Sequence, residues 1–313
     1  MSVVVLVDGW DPEPWVSALR NMLPGRKIVS YPNFDDPECI EYALVWSPKG
    51  GVLNNFPNLK ALFSLGAGVD HLLATKNLPD VPIARIVDPD LTSRMSEWVV
   101  GQVLLHHRKT LQYQCFQNQA QWNELEQPSA REVHVGIMGL GELGKDSAEI
   151  LCRLGFRVHG WSRTPRHLPN VTCFHGTDRM DAFLAATDIL VCLLPLTPET
   201  HGLIDGALLS KLRSNGALGG PVFINAGRGR IQVERDVLLA LEDGTLKGAS
   251  LDVFEVEPLP QNNPLWELPN LVVTPHAAAV SNPAALSRLI ARQIETFEDS
   301  GTLDFVVDID RGY

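Results

Sequence analysis

The chain has 313 residues, 45% of them hydrophobic, and a formal net charge of −11. That length and apolar content are enough for two domains with cores of their own. The acidic balance argues against nucleic acid or an anionic membrane as a general partner, because both favour a basic surface. The five cysteines are scattered without a CxxC pair, and no signal peptide or spanning segment is recognisable, so we expect reduced thiols and a cytoplasmic location.

Short β-branched runs alternate with amphipathic segments in the first part of the chain. This alternation is typical of βα units that build a parallel sheet. A single long helix is then predicted from about Ser93 to Gln119, because apolar residues recur on one of its faces. The predicted strands of this part are 3–7, 27–31, 43–46 and 59–66, with a first helix at 15–23.

The βα pattern resumes after the long helix. A final helix, predicted from about Pro283 to Asp299, follows this second series and allows the chain to return to the first domain. The predicted strands of the second series are 132–139, 157–161, 189–195, 222–229, 248–254 and 271–276.

The most informative segment is GLGELG at 139–144. It follows a predicted strand, opens a predicted helix and is followed by a second strand, which is the setting of a dinucleotide-binding turn. Gly139 permits the tight turn, Gly141 leaves room for a pyrophosphate, and Gly144 lets helix and strand pack closely. We therefore predict a dinucleotide site, with a glycine-rich turn that binds nothing as the alternative.

The second strand of this unit ends in a basic segment, GWSRTPRH at 160–167. An acidic residue at this point would accept hydrogen bonds from the ribose 2′-OH of NAD and repel a 2′-phosphate. Ser162, Arg163, Thr164 and Arg166 instead offer two hydroxyls and two guanidiniums to a phosphate. This favours NADPH, with a solvated basic loop as the alternative.

Candidates for acid–base chemistry follow three of the predicted strands. They are Arg228, His276 and the acidic residues Asp252, Glu255 and Glu257, all at the edge where open α/β sheets bind ligands. An arginine, an acid and a histidine that converge from separate strand ends form a catalytic constellation. Each of them alone is more often a surface or capping residue.

Two further histidines, His106 and His107, are adjacent on the predicted long helix and point about 100° apart, so they cannot share a metal ion. We expect them at the surface or between domains. No metal-ligand spacing occurs elsewhere, and no metal site is predicted.

Four motifs together resemble the D-isomer-specific 2-hydroxyacid dehydrogenase family: GLGELG, NAGRGR, LDVFEVEPLP with PLW, and TPHAAA. Within it, ALVWSPKG, LFSLGAGVDHLL, WSRTPR, PLTPET and DRGY most resemble the bacterial glyoxylate/hydroxypyruvate reductases of the A type. The likeness covers essentially the whole chain. It implies an α/β fold of two Rossmann-like or flavodoxin-like domains with parallel sheets, and a homodimer. The substrate-binding domain is expected over 1–100 plus 283–313, with the dinucleotide-binding domain, 101–282, inserted into it.

The same resemblance assigns the catalytic groups. His276 is the expected catalytic histidine, Glu257 its acidic partner and Arg228 the substrate-binding arginine. Protonated His276 would donate a proton to the substrate carbonyl oxygen, and Glu257 would favour the charged imidazolium. Glu255 and Arg230 have the right chemistry but the wrong position.

For the substrate, the resemblance implies a small pocket. Backbone N–H groups in the turn 65–69, at Ala67, Gly68 and Val69, are expected to meet its carboxylate, since glycines allow close approach. Trp46 resembles the residue that keeps the pocket small.

For the cofactor, the basic segment at 162–166 favours NADPH, with NADH as a weaker alternative, and the resemblance adds further residues. Asp252 is expected to orient the cofactor amide and Met95 to press on the nicotinamide. The expected cofactor-binding residues are Met95, Gly139, Gly141, Glu142, Leu143, Gly144, Ser162, Arg163, Thr164, Arg166, Leu194, Pro195, Ala226, Gly227, Asp252, His276 and Ala278.

The predicted function is that of an NADPH-preferring reductase of small 2-keto acids, converting glyoxylate and hydroxypyruvate to glycolate and D-glycerate. Two alternatives remain. One is an NAD-linked D-2-hydroxyacid dehydrogenase of other specificity, which the basic segment at 162–166 disfavours. The other is a dinucleotide sensor without catalysis, which the complete set of arginine, glutamate and histidine disfavours.

Two segments leave questions open. Extra residues at Gly219-Gly220-Pro221 precede the strand that leads to Arg228, and we expect this loop to be absorbed before the strand begins. Trp122 has two interpretations, as a residue that crosses to a partner subunit's site or as a core residue.

Overall fold

A computed structural model of the chain describes residues 2–75 and 77–313. It divides into two compact units. We call Met1–Leu91 together with Val280–Tyr313 the terminal unit, and Thr92–Ala279 the central unit. The chain therefore leaves the terminal unit at residue 91 and returns to it at residue 280, close to the expected boundaries at 100 and 283.

The elements of the first part of the chain alternate as predicted, although their ends differ by a few residues. They are β1 (Ser2–Val7), α1 (Glu13–Met22), β2 (Lys27–Ser30), β3 (Ile40–Trp46), β4 (Ala61–Ser64), α2 (Asp70–Leu73), β5 (Ile83–Ala84), α3 (Pro89–His107) and α4 (Thr110–Asn118), with short 3-10 helices at Pro37–Cys39 and Val52–Asn55.

The remaining elements form the second βα series and the last helix. They are β6 (His134–Met138), α5 (Glu142–Arg153), β7 (Arg157–Ser162), β8 (Val171–His175), α6 (Met180–Ala185), β9 (Ile189–Cys192), α7 (Gly206–Leu209), β10 (Val222–Asn225), α8 (Glu234–Glu242), β11 (Gly248–Leu251), β12 (Leu271–Val273) and α9 (Pro283–Ser300), with 3-10 helices at Ala130–Glu132, Thr177–Arg179, Gly229–Ile231 and Pro264–Glu267.

The terminal unit contains a five-stranded parallel sheet in the order β2-β1-β3-β4-β5. Strands β1, β3 and β4 are almost entirely buried, as expected of parallel strands that are covered on both faces. Because the three strands are neighbours and parallel, the residues that follow their carboxyl ends lie along one edge of the sheet.

The central unit contains a seven-stranded parallel sheet in the order β12-β11-β10-β9-β6-β7-β8. Side chains alternate between two cores: Ile189 and Val191 of β9 join one hydrophobic cluster, and Leu190 and Cys192 join the other. The strand order changes direction between β6 and β9, and the carboxyl ends of such neighbouring strands form a ligand-binding crevice. The predicted class, α/β with two parallel sheets, is confirmed.

The single helix predicted from about Ser93 to Gln119 was wrong, because α3 and α4 are separate helices. Lys109 has a left-handed backbone, with φ of +55°, at the break. No glycine or proline marks this point. The end of α3 is instead capped from a distance, since Gln127 Nε2 donates to the His107 carbonyl at 2.6 Å and the Lys109 ammonium donates to the Glu126 carbonyl.

His107 is buried in the central unit, so the expectation of a surface or interdomain position was wrong for this residue, whereas His106 is half-buried. His107 is buried, and its ring packs edge-on against Phe156 with ring centroids 5.1 Å apart. His106 Nε2 lies 2.8 Å from Ser250 Oγ. Burial lowers the pKa of His106 to about 4, which leaves the ring neutral near pH 7.

Several strands are shorter than predicted, and two, β5 and β8, were not predicted at all. β10 ends at Asn225 and β12 at Val273, so Arg228 and His276 lie in the turns beyond them. Of the missed strands, β5 has only two residues, and β8 is a half-exposed edge strand with little apolar alternation. None of the helices among residues 2–75 and 77–313 is both long and apolar enough to cross a membrane.

Candidate active site

The glycine-rich turn after β6 is built as its sequence predicts. Gly139 has φ of +102°, which favours glycine, and a Cβ there would lie 2.7 Å from the Leu193 carbonyl oxygen. A Cβ on Gly144 would lie 1.9 Å from the Gly139 carbonyl oxygen. Both glycines are therefore required by the fold itself, because a side chain at Gly139 would clash with the backbone after β9 and one at Gly144 would separate α5 from the turn.

Gly141 is different, because no protein atom lies within 4 Å of the position of its Cβ. Its φ of −77° suits any residue. Neither packing nor backbone conformation demands glycine there, so the open space in front of it suits a ligand that must approach the backbone closely. Gly141 caps α5, whose first residues are Glu142 and Leu143 and whose N-terminus offers N–H groups and a positive dipole end to a phosphate.

The basic segment lies at the carboxyl end of β7. Ser162 is the last residue of the strand, is largely buried and donates a hydrogen bond from Oγ to the Thr164 carbonyl at 2.8 Å. Residues 163–167 are all exposed. Arg163 also lies close to Glu199, whose carboxyl pKa is lowered mainly by a hydrogen bond with the Thr197 side chain and partly by the charge of Arg163. The segment is thus a surface that can receive an anion.

Backbone turns after β9 and β10 pack against one another. A Cβ on Gly227 would lie 2.8 Å from the Leu194 carbonyl oxygen. Leu194, next to Pro195, and Ala226 are nearly buried. The predicted cofactor-binding residues after β6, β9 and β10 therefore lie at one edge of the central sheet.

Arg228 is delivered by a turn that Asn225 organises. The Asn225 side chain is buried, accepts the Gly227 N–H at 2.9 Å and donates to the Arg228 carbonyl at 3.2 Å and to Gln232 Oε1 at 2.9 Å. Arg228 itself is half-buried and donates from Nη1 to the Gly227 carbonyl at 2.8 Å. This function was not predicted from the sequence, although an asparagine side chain commonly accepts a hydrogen bond from the backbone two residues further along and so forms a turn.

His276 lies in a turn that Asp252 organises. Asp252 is 1% exposed, and its carboxylate accepts hydrogen bonds from Thr274 Oγ1 at 2.6 Å, Ala277 N–H at 2.9 Å and Ala278 N–H at 3.0 Å. His276 has φ of +53°, an uncommon conformation for a residue with a side chain. The Asp252 hydrogen bonds hold this turn, a function that was not predicted from the sequence.

His276 and Glu257 form a hydrogen-bonded pair. His276 Nδ1 donates to Glu257 Oε2 at 2.7 Å, and the Phe254 N–H donates to the other carboxylate oxygen at 2.9 Å. Because an ionised carboxylate only accepts, Nδ1 carries the proton. The remaining ring nitrogen, Nε2, has no hydrogen-bond partner within the described part of the chain, and the side chain is 39% exposed. Nε2 is therefore the nitrogen that can exchange a proton with a ligand.

The charges around Glu257 favour its ionised form. Burial is the largest single influence and by itself would raise the pKa of Glu257. The hydrogen bonds from His276 and Phe254, together with the positive charge of Arg228, outweigh it and lower that pKa below its usual value. The nearby Glu255 is used differently, since its carboxylate accepts the Glu234 N–H at 2.8 Å.

The substrate candidates predicted near the N-terminus lie in the terminal unit. Trp46 is the last residue of β3, and a Cβ on Gly66 would lie 2.2 Å from its Cζ3 atom, so the indole covers the backbone of that glycine. The N–H groups of Ala67, Gly68 and Val69 donate no hydrogen bond among the described residues. Successive N–H groups in a turn of this kind form a site suited to an anion.

Met95, the remaining cofactor candidate, is largely buried in the central unit. It joins a hydrophobic cluster that also contains Leu140 and Ala278, which follow β6 and β12 in the chain. No cluster of His, Cys, Asp or Glu side chains suited to a metal ion occurs in the part of the chain that the structure describes.

The two segments left open by the sequence have distinct outcomes. The extra residues at 219–221 are absorbed before β10 as expected, since Gly219 and Gly220 adopt φ of +74° and +144° and the strand starts directly after them. Trp122 is fully exposed, so its interpretation as a core residue of this chain was wrong.

A protein-family model matches more than half of the chain. Residues 100–278 match the family model described as D-isomer specific 2-hydroxyacid dehydrogenase, NAD binding domain. The chain belongs to the D-isomer-specific 2-hydroxyacid dehydrogenase family. The family resemblance noted in its motifs is thereby confirmed.

The family relatives span the whole chain. The glyoxylate/hydroxypyruvate reductase A of Escherichia fergusonii is 39% identical over 100% of both proteins. An NADPH-dependent glyoxylate/hydroxypyruvate reductase from Sinorhizobium meliloti, solved with NADP and sulfate, is 47% identical, covers 100% of this chain and 99% of its own, and has a TM-score of 0.95. A probable 2-hydroxyacid dehydrogenase from Rhizobium etli, solved with NADP, HEPES and L(+)-tartaric acid, is 49% identical with the same coverage and a TM-score of 0.93.

The dinucleotide that this family binds fits the residues of the central unit. The open space at Gly141 lies beside the N-terminus of α5, where a pyrophosphate would accept hydrogen bonds from backbone N–H groups. The exposed arginines after β7 suit a 2′-phosphate, and no carboxylate from 160–167 opposes it. These observations favour the phosphorylated form of the cofactor.

Proposed function

We propose that this protein is an NADPH-dependent reductase of small 2-keto acids, with glyoxylate and hydroxypyruvate as substrates and glycolate and D-glycerate as products. The observation that carries this proposal is the His276–Glu257 pair, joined at 2.7 Å, in a member of this dehydrogenase family. Arg228, which lies near enough to Glu257 to lower the pKa of its carboxyl, supplies the positive charge that a keto acid requires.

His276 is the proposed proton donor. Its Nε2 atom would donate a proton to the carbonyl oxygen as negative charge develops there, while Nδ1 remains bonded to Glu257. The carboxylate stabilises the protonated ring before the transfer and holds its orientation throughout. When bound, the nicotinamide supplies the hydride that reduces the carbonyl carbon.

Substrate binding is assigned to two groups. The planar guanidinium of Arg228 suits the carboxylate and carbonyl oxygens of a 2-keto acid, because it can donate two parallel hydrogen bonds. The N–H groups of Ala67, Gly68 and Val69 in the terminal unit are likewise suited to the carboxylate.

For the cofactor, we assign the pyrophosphate to Gly139, Gly141 and the first turn of α5. Met95, Asp252 and Ala278 are assigned to the nicotinamide end. The 2′-phosphate is assigned to the segment of Ser162, Arg163, Thr164 and Arg166. We also propose a homodimer, which the family resemblance implies, and a cytoplasmic location, which the scattered cysteines favour. The fully exposed Trp122 indole is compatible with burial by a partner subunit.

One assay tests the function as a whole. Oxidation of NADPH and NADH is followed with glyoxylate, hydroxypyruvate and pyruvate, and the proposal expects NADPH with glyoxylate or hydroxypyruvate to give the highest kcat/KM. Faster turnover with NADH would favour the NAD-linked alternative. Tight NADPH binding without turnover of any keto acid would favour the sensor.

Replacing Arg163 or Arg166 with Ala is expected to weaken the binding of NADPH selectively, relative to that of NADH. Each charge-assisted hydrogen bond contributes about 1.5–3 kcal/mol, or roughly tenfold to a hundredfold in affinity. Solvent exposure puts the expected loss at the low end, near tenfold for each useful arginine. The dissociation constants of both cofactors are measured by fluorescence titration.

The matched control is Arg153→Ala, which removes the same charge at the far end of α5 and should affect neither cofactor. NADH binding should stay nearly constant in Arg163→Ala, Arg166→Ala and Arg153→Ala, because NADH has no 2′-phosphate. If the binding of NADPH and NADH weakened equally, the arginines would instead stabilise the fold or contact the pyrophosphate that both cofactors share.

Glu257→Gln is expected to shift the pH profile of kcat/KM to lower pH. The Glu257 carboxylate accepts the hydrogen bond from His276 Nδ1 at 2.7 Å, and this contact lowers the pKa of Glu257, so the substitution removes a negative charge from beside the proton donor. Glu255→Gln serves as the matched control and should leave the profile unchanged. An unchanged profile in the Glu257 variant, with a shift in the control, would transfer the acidic function to Glu255.

A further inference from the structure

An aromatic stack runs along the carboxyl edge of the terminal sheet. Trp46 ends β3 and lies in register with Val7, the last residue of the neighbouring β1. Trp10 follows β1, and its ring stacks on that of Trp46 with centroids 4.8 Å apart and an interplanar angle of 17°. The sequence alone does not point to Trp10, because the stack joins residues at the ends of separate strands.

The stacked Trp46 ring lies directly beside the turn assigned to the substrate carboxylate. Its Cζ3 atom occupies the space that a Cβ on Gly66 would need. The next three residues of the chain carry the N–H groups that donate no hydrogen bond among the described residues. His71, at the start of α2, also packs on the Trp46 ring, with centroids 4.4 Å apart. The indole is therefore the wall next to this turn.

Trp10 packs on the Trp46 ring in addition to His71 and so favours one position of that wall. Trp46 is only half-buried, and a tryptophan at the end of a strand has other staggered rotamers open to it. Stacking with Trp10 favours the rotamer that lies on Gly66. A well-formed aromatic pair changes such an equilibrium by roughly 2- to 10-fold beyond its burial. Trp10 itself is 42% exposed, so it contributes little to the core.

We propose that Trp10 is a specificity-determining positioning residue: it stacks on Trp46, keeps that indole against Gly66, and so restricts the keto acid to a short side chain. A longer unbranched 2-keto acid needs the space that the Trp46 ring occupies. The inference rests on the proposed function, because it takes the turn at 67–69 as the carboxylate site.

The test compares kcat/KM for glyoxylate with kcat/KM for 2-oxobutanoate and 2-oxopentanoate. Trp10→Ala is expected to raise the ratio of the longer acids to glyoxylate by roughly 2- to 10-fold, with the KM for NADPH unchanged. Trp10→Phe keeps an aromatic partner and should restore the wild-type ratio. The matched control is Trp266→Ala, which removes a tryptophan of similar exposure, 50%, from the central unit and should leave the ratio unaltered.

A double-variant cycle separates positioning from a general structural effect. In a Trp46→Ala background, Trp10→Ala should cause no further change in the ratio, because the wall that it positions is gone. An equal loss of kcat/KM for all acids, or an unchanged ratio in Trp10→Ala, would overturn the inference while leaving the reductase function intact. If Trp10→Ala does not fold, Trp10→Leu gives the same comparison. A wild-type protein that reduces no keto acid would overturn the proposed function and this inference with it.

Discussion

His276→Gln is expected to lower kcat by roughly 10²- to 10⁴-fold, the usual contribution of a positioned general acid. Glutamine can still donate a hydrogen bond to Glu257, so the local arrangement is retained. Its amide cannot release a proton near neutral pH, and the carbonyl oxygen of the substrate would have to be protonated by water. The measurement is single-turnover reduction of glyoxylate with saturating NADPH.

NADPH affinity and thermal stability serve as controls for this variant. Both should stay near the wild-type values, because the turn that carries residue 276 is held by Asp252 through Thr274 and two backbone N–H groups and not by the imidazole. Near-normal turnover would remove His276 from the mechanism. Loss of NADPH binding together with turnover would show instead that the ring supports the cofactor.

Arg228→Lys is expected to lower kcat/KM for glyoxylate by roughly 10- to 100-fold although the charge is kept. An ammonium group cannot reproduce the two parallel hydrogen bonds of a guanidinium, and one charge-assisted hydrogen bond corresponds to about this factor. The effect should appear with both glyoxylate and hydroxypyruvate, because the lost interaction involves groups that the two acids share.

Arg230→Lys provides the matched control, since it makes the same change two residues away at an exposed side chain. We expect its kinetics to match those of the wild type. If Arg228→Lys retained both kcat and KM, the carboxylate would have to be assigned to the backbone turn at 67–69 alone. Variants of Gly68 would then be the next to test.

Much of the candidate site could be predicted from the sequence because its signals are local. The spacing of Gly139, Gly141 and Gly144 after an apolar run is sufficient to predict a tight turn and a helix start, since those glycines meet steric demands within one βα unit. The basic segment after β7 is equally local. His276 and Glu257 could be paired only through the family resemblance, as they are separated by β12 and its flanking loops.

The residues that support the site could not be predicted in this way. Asn225 and Asp252 shape the turns that carry Arg228 and His276, but the sequence shows only an asparagine and an aspartate at strand ends. The partners of Asp252, at Thr274, Ala277 and Ala278, become its neighbours only once β11 and β12 are aligned. Those of Asn225 lie within seven residues of it, but the residue letters do not show that the turn they form delivers Arg228. The sequence contains no measure of that alignment beyond the strands themselves.

The sequence by itself thus determined the fold class, the alternation of strands and helices, the dinucleotide turn and the chemistry available at the strand ends, because each depends on residues close together in the chain. Only the tertiary structure decided where the long helix breaks, since Gln127 and Glu126 meet its end from a later segment. It likewise decided the stacking of Trp10 on Trp46, which the register of β1 and β3 brings together. Both depend on contacts between distant segments, and such contacts form only when the entropy of closing the intervening loops is outweighed by the packing of the whole unit.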